Sequence, residues 1–152
     1  MLNVEPPLLA DGLGDLVAWV VKDGVTLGGL TPEMRQRALA VAWAGLPTVV
    51  MSEKAVNAAL RMQLAGAARF LATDHVELRR WLVDAGWLTR DGYGREYHRV
   101  AALDLPGTAR AVAEVLATVD VAAWVAQARL RQTVQRDRRR QAWSAAQMSS
   151  SP

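Results

Sequence analysis

The stretch from Thr73 to Val100, TDHVELRRWLVDAGWLTRDGYGREYHRV, leaves this chain few local choices. It predicts a capped helix, a glycine stop and a short basic β-hairpin. Asp74 is placed as the N-cap and Glu77 follows three residues on, a capping-box spacing that satisfies two orphan backbone donors. Thr73 is the alternative cap. At about 100° per residue, Leu78, Trp81, Leu82 and Ala85 share one face and form a core-facing stripe. Val76, Arg79, Arg80 and Val83 fall on the opposite side. Arg79 and Arg80 are therefore expected to project outward, the alternative being that one of them pairs with Glu77 or Asp84 along the helix. Gly86 sits where a left-handed C′ residue ends a helix. Asp91-Gly92 then separates Trp87–Arg90 from Glu96–Val100, a strong hairpin signal. The arms carry Arg90, Arg95 and Arg99, with Tyr93 near the tip. Such a hairpin can lay cations and a ring along a phosphate backbone, or cover a core edge with solvated arginines.

The segments before it complete a recognisable order. Ser52 caps a helix whose Val56, Ala59, Leu60 and Leu64 face inward, with Glu53 and Asn57 one turn apart on the same surface. Helix, connection, helix and hairpin is the order of a winged helix-turn-helix, and Pro47 to Met51 is the extended run that would supply its third strand. The connection from Leu64 to Leu71 is longer than a tight helix-turn-helix turn. Upstream, Pro6 and Pro7 end a loose leader. Leu9, Leu13, Leu16, Val17, Val20 and Val21 recur at helical spacing up to Asp23-Gly24. Thr31-Pro32-Glu33 starts a second helix that buries Met34, Ala38, Val41 and Ala42 and ends near Gly45, with Trp43 closing the core beside it. Downstream, Asp104-Leu105-Pro106 opens a helix carrying Val112, Val115 and Leu116. Asp120 caps a last one with Val121, Trp124, Val125 and Ala128 on one stripe. The expected architecture is mostly α with a small β-hairpin: a helical, winged-helix-like domain over residues 1–103, a C-terminal helical extension over 104–147, and a disordered tail over 148–152.

Three blocks of this sequence resemble a small bacterial family, the domain of unknown function twenty eighty-seven. The first holds Glu53, Val56, Asn57 and Leu60. The second holds Asp74, His75, Leu78, Arg79, Arg80, Leu82, Val83, Asp84, Gly86, Leu88 and Arg90. The third holds Gly94, Tyr97 and Arg99. The resemblance spans about residues 33–100, and the middle block is its specific part. That family often occurs beside or fused to helix-turn-helix regulators, so the resemblance implies a role in transcription. It implies no catalytic residue and no cofactor. The long C-terminal extension is a departure from the family pattern.

Charge distribution cuts across that implication. The chain has a formal net charge of +3, yet Arg129 to Arg140 holds six arginines against Asp137, leaving twelve basic and fourteen acidic residues elsewhere. From His75 to Arg99, five arginines face Glu77, Asp84, Asp91 and Glu96. A duplex binder ordinarily displays a basic face, because neutralising phosphates drives affinity. Here the excess lies in the C-terminal run, expected to be the exposed end of a long helix. A helix favours cations near its C-terminus, so a solvated basic tail is the plain alternative.

The remaining composition narrows the classes. With no cysteine, disulfides, iron–sulfur clusters and thiolate zinc sites are out of reach. His75 and His98 do not form a two-ligand metal spacing, and Gly12 with Gly14 lacks the strand and the Lys-Ser/Thr of a nucleotide loop. No metal, cofactor or catalytic constellation is expected, nor an enzyme. The longest uncharged run, Ala38 to Ser52, is too short to span a membrane. A cytoplasmic protein is expected. The six tryptophans are spaced as core and interface anchors rather than a base-stacking row. The leading expectation is a nucleic-acid-binding regulator, with DNA or RNA contacted by Arg79, Arg80, Arg90, Arg95, Arg99, Arg136, Arg138, Arg139 and Arg140. The alternative is a protein-interaction or homodimerisation module without nucleic-acid binding that uses the same arginine-valine face and the C-terminal helix, and an enzyme of unrecognised type ranks well behind both.

Overall fold

A computed structural model describes residues 14–93 and 95–149. Among them the chain runs α1 (Gly14–Val20), α2 (Pro32–Ala44), β1 (Met51–Ser52), α3 (Glu53–Ala65), α4 (His75–Asp84), β2 (Leu88–Arg90), β3 (Glu96–Arg99), α5 (Gly107–Leu116) and α6 (Val121–Ser149). It is mostly helical, with one small antiparallel sheet. The leader and the part of the first helix expected around Leu9 and Leu13 lie outside the described residues.

Helix α2 is the hub. Thr31 caps it by accepting from the Met34 amide at 3.3 Å, and Pro32 occupies the first turn, as the sequence predicts. From Ala38 to Trp43 every residue is buried, Leu39 and Ala40 in addition to the expected Ala38, Val41, Ala42 and Trp43, while Met34 is half-buried. The helix meets α1, α3, α4 and α5, so its second half is apolar all round instead of striped.

The expected bounds of α4 hold, with Asp74 at its start and Gly86 just past its end. Asp74 Oδ1 accepts from the Glu77 amide at 2.8 Å. The reciprocal half of the capping box is altered: Glu77 receives the Thr73 hydroxyl at 3.0 Å. Gly86 adopts φ +84°, the left-handed conformation, and the helix closes with Gly86 N to Val83 O at 3.1 Å and Trp87 N to Leu82 O at 2.9 Å. This is a Schellman ending, and the buried Trp87 and Leu82 are placed to supply its apolar contact. Leu78 and Leu82 are buried and Trp81 is half-buried, whereas Ala85, expected inward, is exposed at the cap.

The sheet order is β1-β3-β2, antiparallel throughout, with Met51 opposite Tyr97 and Leu88 opposite Arg99. Tyr97 turns inward while Glu96 and His98 turn out, the two-residue period of a half-buried strand. The third strand is shorter than the expected Pro47–Met51. Only Met51 and Ser52 pair, since Pro47 has no N–H to give and Val49 and Val50 face solvent. The hairpin loop is longer than a two-residue Asp-Gly turn. Asp91 still pairs with the opposite strand, its N–H bonding Glu96 O at 3.0 Å. Its carboxylate then closes the loop, accepting from the amides of Arg95 at 2.7 Å and Glu96 at 3.3 Å.

The connection from α3 to α4 is a wedge of core. Ala67, Ala68, Phe70 and Leu71 are buried, and Leu71 forms a parallel bridge with Val25. Helix α5 packs on α2, and the first turns of α6 pack on α1. Asp120 caps α6, accepting from the Ala123 amide at 3.1 Å. Val121, Trp124 and Val125 are buried and Ala128 is half-buried, after which the helix continues in solvent. At 29 residues it is about 44 Å long. It runs through Met148 and Ser149, two positions into the stretch expected to be disordered. The Ser149 hydroxyl bonds back to Ala145 O and Ala146 O, satisfying acceptors of the last turn. Among the described residues no single helix is long and apolar enough to cross a membrane.

Candidate functional site

The arginines expected to contact nucleic acid divide into three groups once their partners are placed. Arg79 does not project freely. Its Nη1 donates to Asn57 Oδ1 at 2.6 Å and pairs with Glu53 Oε1 at 3.3 Å, and its guanidinium lies 5.5 Å from the Tyr97 ring centroid. Only 17% of its side chain is exposed. The helical wheel placed it correctly relative to Leu78, but α3 lies across that side of α4. Neither Glu77 nor Asp84 holds it. Glu53 and Asn57, one turn apart on α3, thus form a cradle that cross-links the two helices through Arg79.

Arg99 is also taken up by the fold. It stacks 3.9 Å from the Trp43 ring centroid and donates Nη1 to Leu46 O at 2.9 Å. Burial lowers its pKa from the ordinary arginine value, though a guanidinium remains charged. Trp43 in turn donates Nε1 to Val100 O at 2.8 Å, and its ring meets that of the fully buried Trp87 at 5.6 Å. Trp87 is core, not a stacking platform.

Arg80, Arg90 and Arg95 remain at the surface. Arg95 lies 5.8 Å from the ring of Tyr93, which is 85% exposed at the hairpin tip. Among the described residues Arg80 and Arg90 have no hydrogen bond or ion pair. They line a cleft of about 340 Å³ between α4 and the sheet, walled by Val76 and Val83 and floored by Tyr97 and Arg79. Asp84 is the one carboxylate in its lining. Asp91, at the base of the hairpin loop, has its pKa lowered, first by the backbone hydrogen bond from Arg95.

Distal α6 is different. Arg136, Arg138, Arg139 and Arg140 are all exposed, with Asp137 the single acid among them. Arg129, the first of the run, is not part of that surface. Its Nη1 donates to Val20 O at 2.8 Å and Lys22 O at 3.1 Å, and its Nη2 pairs with Asp23. It caps the C-terminal end of α1 from 109 residues away in sequence. The pKa of Asp23 falls, chiefly through this hydrogen bond and then through the charge of Arg129. Arg35 likewise serves the fold, donating to Leu27 O and Leu30 O while stacking on Trp81 at 4.7 Å. Sequence reading missed both roles, because four of the five acceptors are main-chain carbonyls that leave no pattern in the side chains and the fifth, Asp23, lies 106 residues from Arg129.

The histidines take surface roles. His75 Nε2 lies 3.4 Å from Arg61 Nη2, and His98 Nε2 lies 4.0 Å from Glu96. Among the described residues no group of three or more His, Asp and Glu side chains has the geometry to hold a metal ion.

With this geometry in view, comparison with known proteins gives one result. Residues 31–99 match the family model described as an uncharacterized protein conserved in bacteria (DUF2087), the family the three sequence blocks resemble. No curated protein and no solved structure matches the chain.

Proposed function

We propose that this chain, whose residues 31–99 match the model of that bacterial family, is a non-catalytic nucleic-acid-binding protein built on a winged-helix variant. The segment α2–β1–α3–α4–β2–β3, with β3 between β1 and β2, supports that reading. In such a unit α4 meets the nucleic acid, offering Val76 and Arg80 outward, and the hairpin tip brings Tyr93 and Arg95. This face is close to neutral, however. Arg80, Arg90 and Arg95 are offset by Glu77, Asp84 and Glu96, all exposed. Electrostatic attraction must come from elsewhere. The observation that carries the proposal is the set Arg136, Arg138, Arg139 and Arg140, four exposed cations within five residues of a helix that has left the core.

Division of labour follows: α6 supplies sequence-independent affinity, and α4 with the hairpin supplies orientation and any base contact. Replacing those four arginines together by glutamine in the full chain should weaken binding to random-sequence duplex DNA and to single-stranded RNA alike. For the duplex, the slope of log affinity against log salt should flatten by about 3 to 4 units. Binding and slope both unchanged would remove α6 from the interface.

One observation favours a second reading. Leu130, Val134, Trp143 and Met148 are exposed along α6 beyond Ala128. Leu130, Val134 and Met148 fall near one line along the helix at about 100° per residue, a seam for a protein partner or a second copy. Light scattering with a DNA-binding assay decides between them: a concentration-dependent dimer that Leu130→Ser with Val134→Ser dissociates, in a chain that shows no salt-dependent nucleic-acid binding, supports the interaction module.

A further inference from the structure

We propose that the cleft between α4 and the sheet is a binding site for a small phosphomonoester, separate from any contact made by α6. Three arginines line it, Arg79, Arg80 and Arg90, together with Asp84, while Glu53 at 3.3 Å offsets the charge of Arg79 and leaves Arg80 and Arg90 as the free cations. Their states differ in a way that suits an anion. Arg79 is pre-oriented by Asn57 at 2.6 Å and Glu53 at 3.3 Å, and two of its contacts fix it over the Tyr97 ring. Arg80 and Arg90 have no partner among the described residues, so each brings a full complement of donors. A guanidinium fork matches the oxygens of a phosphate in a bidentate way that an ammonium does not.

Donor geometry selects the ligand class. A carboxylate offers two oxygens to the free forks of Arg80 and Arg90, whereas a phosphate monoester offers three terminal oxygens that these separate donors can reach together. Volume then limits the remainder. A cleft of about 340 Å³ lies at the small end of ligand pockets. It accommodates one phosphate with a ring or a short chain, for which Val76 and Val83 provide apolar sides. The site lies on α4 itself, so its occupant and a nucleic acid lying along α4 would compete for Arg80. The inference does not depend on that competition, because the cleft exists whether or not α4 meets nucleic acid.

The test is isothermal titration of the full chain with phenyl phosphate, dimethyl phosphate and sodium chloride at matched ionic strength. Phenyl phosphate should bind with one-site stoichiometry, and Arg80→Ala and Arg90→Ala should each weaken it about tenfold. Arg110→Ala, on an arginine paired with Glu114 on α5, should leave it unchanged. Circular dichroism checks that both cleft variants fold, which is expected because neither side chain holds the core. Dimethyl phosphate has the single charge of a nucleic-acid phosphodiester and should bind far more weakly. Equal binding of the two phosphates would overturn the proposal and give the cleft to a phosphodiester backbone instead. No binding beyond chloride, or binding indifferent to Arg80 and Arg90, would also overturn it.

Discussion

The α4–hairpin region and distal α6 each carry about five arginines, and the fold treats them in opposite ways. In the first, Arg79 is locked to Asn57 and Glu53, and Arg99 is sandwiched between Trp43 and a carbonyl. In the second, Arg136 to Arg140 face solvent on a helix that has outrun the core. Arginine density in sequence thus says little about where usable charge will be. The deciding factor is whether an aromatic face or an unsatisfied carbonyl lies within reach, since the guanidinium is planar, weakly hydrated and rich in donors. The region that looks like a reader from its sequence spends part of its charge on holding itself together.

Substitutions should expose this contrast. The largest loss is expected for Arg99→Ala, which removes a stacked cation and its bond to Leu46 O and strips cover from Trp43. Urea unfolding should show about 2–3 kcal/mol lost, and a loss below half a kcal/mol would place Arg99 with the solvated arginines. Arg129→Ala comes next, at about 1–2 kcal/mol, because two carbonyls at the end of α1 lose a charged donor. Arg129→Lys should recover only part, as one ammonium cannot span both carbonyls and Asp23.

A smaller, pH-dependent effect separates the hairpin from α6. Asp91 has a lowered pKa in the folded chain, so its contribution is present above the ordinary aspartate value and is lost as pH falls through the folded value. Chemical shifts of the Arg95 and Glu96 amides should therefore move in the acid range below the ordinary aspartate pKa, while amides of Trp143 to Ala146 on α6, which have no carboxylate within a turn, do not follow them. Asp91→Asn should abolish the titration. Least of all, Arg138→Ala with Arg139→Ala should leave stability within about 0.5 kcal/mol of the parent. A larger change would mean that distal α6 packs against something.

Much of the fold is legible because its signals are local. Asp74, Glu77 and Gly86 delimit α4 within a dozen residues, and Asp91-Gly92 announces the hairpin even though the loop closes differently. The second half of α2 was misread in part because periodicity assumes one wet face, and α2 has neighbours on nearly every side. Arginine fates were illegible for a related reason. Arg79 finds Asn57 22 residues away, Arg99 finds Leu46 O 53 residues away, and Arg129 finds Val20 O 109 residues away. Only Asn57 among these acceptors is a side chain, and its place beside Glu53 in the E-x-x-V-N pattern was the one available hint.

The span of the Arg129 clamp also bears on the order in which the molecule assembles. Closing a contact across 109 residues costs more chain entropy than forming α4 and its hairpin, whose contacts lie within a few tens of residues. The α1–α6 junction should accordingly form late on the way to the native state and open early on the way out. On a ribosome, the segment holding α2 to β3 emerges before α6 exists to be docked. Hydrogen exchange under mild urea should then show amides of α6 between Val121 and Gln132 releasing ahead of those in α4, with Arg129→Ala widening the gap.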